Sequence, residues 1–301
     1  MAASPITLEQ AQELSAQLAD SAIVLLPDSD GYDDSLKKWS IIGCQRSGVT
    51  VRPKNAQSIA KAVLFASHHK IDLAVKGGGH STDTSSSTDG GILIDLSSMK
   101  EISVDESSKQ IAVQGGALWE DVYQVTSQHG LAVVGATISC TGVGGLTLRG
   151  GYGYLTPQHG LVIDNLLEAQ VATADGSILT ASAQQNPDLF WAIRGAGQNV
   201  GVVTELVFQA YDQKHMWTDQ EKDKDVLSWG QKIQMMCEDE LRRSGRTPDK
   251  LVSNFLGYTA GDSVSAVDMF GTNASRLLGI KKRYDPQNLF NKLNPLDSGT
   301  K

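Results

Sequence analysis

VKGGGHSTDTSSSTDGG, residues 75–91, opens with three glycines and a histidine and continues with little but Ser, Thr, Asp and Gly. A second bare stretch, TGVGGLTLRGGYG at 141–153, follows about sixty residues later, and a third, GAGQNVGVV, lies at 195–203. Glycine lets backbone come close to a bulky ligand, and successive N–H groups in a tight turn form a concavity for anions. Gly77–Gly79 leave a predicted strand, a suitable place for a pyrophosphate. The stretch lacks the Gly-Lys-Ser/Thr ending of a Walker loop. None of the three has the strand–GxGxxG–helix setting of a Rossmann site. Two clusters so far apart point to one extended cofactor touched from two sides.

The residues around these loops alternate α and β signals. Val49–Val51 reads as a strand stopped by Pro53, and Asn55 as the cap of a helix presenting Ile59, Ala62, Val63 and Ala66. Leu73–Val75, Ile92–Leu96 and Ile111–Gln114 read as strands. Leu118, Val122 and Val125 mark a helix ending before Gly130. Glu168–Thr173 and Ile178–Ala181 flank Ala-Asp-Gly-Ser, a hairpin signal. Asn186-Pro187 starts a helix that runs to Arg194, and Val200–Gln209 is an apolar strand. The N-terminus reads as an acidic amphipathic helix. From Tyr211 the texture turns charged, and RLLGIKKRYDPQNLF restores a basic helix stopped at Asp285-Pro286.

Composition narrows the classes. The 301 residues carry a formal net charge of −8, with 40% hydrophobic and 20% charged side chains. That balance suits a globular protein and opposes a nucleic-acid partner. No apolar run reaches membrane-spanning length and no secretory pattern opens the chain, so a cytoplasmic location is expected. Cys44, Cys140 and Cys237 are too few and too scattered for a disulfide framework or a zinc site, and no metal is expected.

VKGGGHS, GGILIDLSSMKEISVD, TGVGGLTLRGGYGYLTPQHGLVIDNLL, NPDLFWAIRGAGQNVGVVTEL and RYDPQNLF together resemble FAD-linked oxidases of the berberine bridge enzyme type, within the vanillyl-alcohol oxidase/p-cresol methylhydroxylase (PCMH) superfamily. The resemblance implies an α+β fold: a PCMH-type FAD-binding domain of two α+β subdomains over residues 1–210, split near 105. A shortened remnant of a substrate domain follows over 211–272, and a C-terminal segment, 273–301, packs back on the FAD domain. It also implies an FAD-dependent oxidoreductase of secondary metabolism. Hydride would pass from a small organic substrate to flavin N5, with oxygen as acceptor and a second subunit or partner covering the flavin.

By the same resemblance, Lys76, Gly77, Gly78, Gly79, His80 and Ser81 form the loop around FAD, with His80 bonded covalently to the 8α-methyl carbon. Gly135, Thr141, Gly142, Gly145, Gly150, Gly151 and Tyr152 would line the cofactor from the second stretch. Asn199, Gly201 and Val203 would do so from the third, and Asn288 from the C-terminal segment.

Three features depart from the family pattern. Many members carry a second tether, a cysteine four residues before the first Gly of the GVGG run. Ile138 stands there, and Cys140, two residues on, reads as a small semi-buried hydrophobe. About forty residues separate Tyr211 from LVSNFL at 251–256, too few for the usual substrate sheet. Val252 takes the place of the tyrosine in the Tyr-x-Asn-Tyr/Phe motif, leaving the general base unassigned. These departures keep two alternatives open: a flavoprotein scaffold or truncated pseudoenzyme, and a non-redox cyclase or isomerase on the same fold.

Overall fold

A computed structural model describes residues 4–213, 270–291 and 296. Helix α1 (Leu8–Leu18) is closed by a capping box in which Thr7 and Gln10 exchange hydrogen bonds, and it buries Ala11, Leu14 and Leu18. Then come β1 (Ala22–Leu25), the single turn α2 (Tyr32–Ser35), β2 (Val49–Pro53), α3 (Ala56–His69), β3 (Leu73–Lys76) and β4 (Ile92–Asp95). The strands form a sheet in the order β1-β2-β4-β3. Strands β2, β4 and β3 run parallel, and β1 is antiparallel at the edge. All four residues of the interior strand β4 are buried, three of them apolar and the fourth, Asp95, paired with Arg52.

Helix α3 makes the β2-to-β3 crossover. The Asn55 side chain accepts from the Ser58 N–H at 2.9 Å, and the helix buries Ile59, Ala62, Val63 and Ala66 completely. The other parallel crossover, from β3 to β4, is the glycine–serine loop 77–91 itself. That connection is ordinarily helical, so backbone which would otherwise satisfy itself is left to loop contacts.

The second sheet contains β5 (Ile102–Asp105), β6 (Gln110–Gln114), β7 (Leu131–Val133), β8 (Leu166–Ala172), β9 (Ile178–Ser182) and β10 (Val202–Asp212). Its path is β5-β6-β10-β8-β9, with β7 also paired to β10. Strand β10 lies between β6 and β8, antiparallel to both. The β8–β9 hairpin turns through Gly176 at φ +78°. Between the strands lie α4 (Trp119–Gln128), the short α5 (Val143–Thr147) and α6 (Thr156–His159), and α7 (Pro187–Ala196). The chain leaves the first sheet and enters the second across residues 96–101.

Two apolar cores result. One joins α1, α3 and the first sheet and also takes in Ala172, Ala174 and Val202, because α3 packs against β8 and β9 as well as β2 and β4. The other surrounds Trp119, Leu206 and Phe208 in the second sheet. Helix α8 (Ala274–Tyr284) places Leu277, Ile280 and Tyr284 in this second core and packs on α7. There Arg283 and the Tyr284 hydroxyl reach Asp188 at 2.7 and 3.1 Å. Within the same helix, buried Lys281 donates to Asp285 and to the Phe290 carbonyl beyond its end, both at 2.6 Å. Val252 and the VSNF stretch lie outside the described residues.

Candidate functional site

The first two glycine stretches meet backbone to backbone. A Cβ on Gly78 would stand 2.5 Å from both N and Cα of Gly142, and one on Gly142 would stand 2.5 Å from Gly78 N. Only glycine on both sides permits that approach. Gly77 and Gly144 both face the Gly115 carbonyl, each with a notional Cβ at 3.3 Å. Loop 77–81, the N-terminal end of α5 and the end of β6 thus converge. Gly145, on the outer side of α5, has no atom within 4 Å of where a Cβ would stand.

His80 is half-buried at the edge of this junction. Its ring stacks on Trp39, with centroids 4.8 Å apart and planes at 14°. The Trp39 N–H donates to the Gly79 carbonyl at 3.0 Å. The Cys140 sulfur lies 3.8 Å from His80 Nε2. Cys140 is exposed, which corrects the expectation of a semi-buried hydrophobe. The turn that carries it is held by α4, whose Trp119 and Glu120 N–H groups donate to the carbonyls of Thr141 and Ser139. That clamp turns the thiol outward, towards the imidazole.

Other expected residues divide into those with a free approach and those committed elsewhere. The Lys76 side chain is buried, donating to the Ser35 carbonyl and lying 3.4 Å from Asp95, which also pairs with Arg52 at 2.9 Å. Burial holds its pKa below the usual lysine value, against the pull of Asp95. Its aliphatic stem passes under the loop, with Cδ 3.6 Å from where a Cβ on Gly79 would stand. Ser81 shares a 2.5 Å hydrogen bond with Ser86, bracing the loop internally. At Gly135 the Cβ position is taken by the Tyr123 hydroxyl and the Trp119 ring, so that glycine makes room for aromatic side chains. Gly201 is likewise pressed against Val171 and the Ala172 carbonyl, and Val203 is a buried residue of β10. Gly150 and Gly151 adopt φ +97° and +70° and carry the chain to Tyr152, which is half exposed. Asn288 sits exposed on the turn after α8 at φ +56°. His159 stacks on Tyr211 with centroids 3.6 Å apart.

The third stretch supplies the clearest sign of a polar ligand. Asn199 is fully buried, yet neither its Oδ1 nor its Nδ2 has a hydrogen-bond partner, and both amide atoms of Gln198 are in the same condition. Each unmet group of this kind costs about 1–3 kcal/mol. Both residues follow the break in α7 at Gly195, φ +132°, which turns the chain back towards β10. Two recessed cations lie near loop 77–91. Lys38 donates to the Asp83 carbonyl at 2.6 Å, and desolvation holds its pKa down while Cys44 and Asp83 oppose that. Arg149 is surrounded by protein without being sealed from solvent. Burial lowers its pKa and Asp83 partly compensates, but a guanidinium stays charged regardless.

Glycine-lined backbone, unmatched amides and recessed cations in a chain of net charge −8 fit a long, polar, anionic group such as FAD. Sequence reading missed Trp39, Cys140, Lys38, Arg149 and Gln198. Cys140 stands two residues after Ile138 and reads from sequence as a small hydrophobe; its exposure and its place beside His80 depend on the turn that carries it. Among the described residues no group of three His, Cys, Asp or Glu could hold a metal, and no helix is long and apolar enough to cross a membrane.

Residues 48–182 match the family model described as FAD binding domain, and residues 255–295 match that described as berberine and berberine like. The FAD-linked oxidoreductase pgmH of Aspergillus terreus is 36% identical over 211 residues, which are 70% of this chain and 43% of that protein. The crystal structure of 6-hydroxy-D-nicotine oxidase from Arthrobacter nicotinovorans superimposes with a TM-score of 0.62 at 37% identity, covering 64% of this chain and 42% of that one. Glucooligosaccharide oxidase from Acremonium strictum, with its 6-S-cysteinyl, 8α-N1-histidyl FAD, gives a TM-score of 0.63 at 31% identity, covering 67% and 43%. The chain therefore spans less than half the length of these relatives.

Proposed function

Since the chain belongs to the FAD-linked oxidases of the berberine bridge enzyme type, we propose that it is an FAD-dependent oxidoreductase in which His80 tethers the flavin. The observation that carries this reading is the contact of Gly78 with Gly142, which brings two distant glycine loops together with His80 at their edge. Loop 77–81 and the start of α5 offer backbone to the cofactor, and Gln198 and Asn199 offer the amides that the chain leaves unmatched. His80, fixed by Trp39, holds the flavin in place. When bound, FAD accepts hydride from a substrate carbon, and a tether that withdraws electron density eases that oxidation.

The substrate is a small alcohol or secondary-metabolite intermediate, and dioxygen is the acceptor. Residues 1–210 form the cofactor domain, 211–272 a short substrate-side segment and 273–301 a terminal segment that returns to the cofactor domain. A partner or second copy completes the substrate pocket. One observation favours a second reading, a flavin-binding chain without efficient turnover: Val252 stands at the tyrosine position. Anaerobic stopped-flow separates the two. Rapid bleaching of the flavin by any member of a panel of alcohols and secondary metabolites supports the oxidoreductase. A flavin that none of them reduces, in wild type and in Val252→Tyr, supports the scaffold.

A further inference from the structure

The geometry points to Cys140 as a positioning residue for His80: its sulfur holds the imidazole proton on Nε2 and leaves Nδ1 free to form the flavin tether. The inference rests on the tether reading and extends it to a residue outside that reading. A neutral imidazole carries one N–H, and the partner of one nitrogen decides which nitrogen keeps a lone pair. Among the described residues no carboxylate or carbonyl bonds either ring nitrogen of His80. The Cys140 sulfur, 3.8 Å from Nε2, is the polar group placed to do so.

Both partners are held from outside the pair. Trp39 fixes the plane of the ring from one face. The carbonyls on either side of Cys140, those of Ser139 and Thr141, accept from the first N–H groups of α4, so the thiol cannot swing away with its turn. With Nε2 turned towards sulfur, Nδ1 is the nitrogen open to a ligand.

The chemistry balances with dioxygen as oxidant. One bond forms, from Nδ1 to the 8α carbon. Two break: a C–H of the 8α-methyl group and the Nε2–H of the imidazole. The two electrons and two protons released reduce dioxygen to hydrogen peroxide. The proton on Nε2 departs past an exposed thiol, which passes it to water.

The test uses the 301-residue protein purified from riboflavin-limited cells and mixed with FAD in air. Flavin that stays with acid-precipitated protein is followed over time, and peptide mass analysis locates it. Without the hydrogen bond to sulfur the two tautomers become near-equal and about half of the imidazole keeps Nδ1 free, so the rate falls about twofold. Cys140→Ala is expected to slow covalent incorporation by about that factor, with non-covalent FAD affinity and melting temperature unchanged. Cys140→Ser, whose hydroxyl can also accept, is expected to restore most of the rate. Wild-type incorporation by Cys140→Ala, or a Cys140→Ser variant as slow as Ala, overturns the inference. An adduct on Cys140 overturns it too, because the sulfur would then be a tether. The underlying reading fails separately if His80→Ala keeps acid-stable flavin.

Discussion

Gly78 and Gly145 belong to the same glycine-rich junction but call for opposite results on gaining a methyl group. In Gly78→Ala the new carbon would stand 2.5 Å from Gly142 N and Cα and 2.9 Å from Leu118 Cδ2. Ordinary carbon contacts begin at about 3.5 Å, so the overlap is close to 1 Å, and the obstacle is backbone that no rotamer change removes. Overpacking of this kind costs about 1–3 kcal/mol, and in a domain of this size each kcal/mol lowers the melting temperature by about 2–4 °C. The flavin-free protein should therefore melt about 2–12 °C lower. Gly145→Ala meets nothing within 4 Å and replaces a helical glycine, a change worth about 0.5–1 kcal/mol in favour of the fold. Its flavin-free form should melt slightly higher than wild type while its flavin occupancy falls, because the methyl enters space the chain leaves for a ligand. Differential scanning fluorimetry on flavin-free protein and the flavin-to-protein absorbance ratio read the two quantities. An unchanged melting point in Gly78→Ala, or an equal fall in both variants, would refute the reasoning.

Asn199→Leu should raise the stability of flavin-free protein by about 1–3 kcal/mol by removing two unmatched buried atoms, and should weaken FAD binding in a titration. Lys281→Met leaves Asp285 buried without its cation and should cost about 3–5 kcal/mol in urea unfolding. The joint Lys281→Met/Asp285→Asn variant should recover part of that loss. Asp105 is held at a pKa of about 2 by the hydroxyls and N–H groups of Ser107 and Ser108. Its folded pKa thus lies below the unfolded value of about 3.9. Its contribution is present above about pH 4 and lost as pH falls towards 2, and Asp105→Asn should flatten that part of an acid-unfolding curve.

Much of the scaffold was legible because particular residues leave few options. Asn55 caps α3, the Ile92–Leu96 stretch reads as a strand, and Ala-Asp-Gly-Ser signals a hairpin, as β4 and the β8–β9 turn bear out. Strand β5, ISVD, escaped notice because half its residues face water and its four-residue length gives periodicity little to act on. Helix α5, VGGLT, contradicts helix propensity and forms where Gly142 pins the chain against Gly78. The two glycine loops could be paired as faces of one cofactor from sequence. That Lys76 turns inward to Asp95 while Cys140 turns outward to His80 depends on tertiary clamps, Ser35 in one case and the first N–H groups of α4 in the other. No local spacing encodes either direction.

The position of β10 sets an order on the ribosome. Strands β6 and β8 have nothing to pair with on their inner edges until residues 202–212 have been made, because β10 fills the gap between them. Translation at about 5–20 residues per second separates the end of β6 from the start of β10 by roughly 4–18 s. During that interval the first sheet, its strands complete by Asp95, can already pair, while the inner edge of β6, joined after residue 172 by that of β8, stays open to other nascent chains. A chain cut before residue 202 would keep those edges permanently. Its failure would be aggregation during synthesis, before any cofactor could be offered to it.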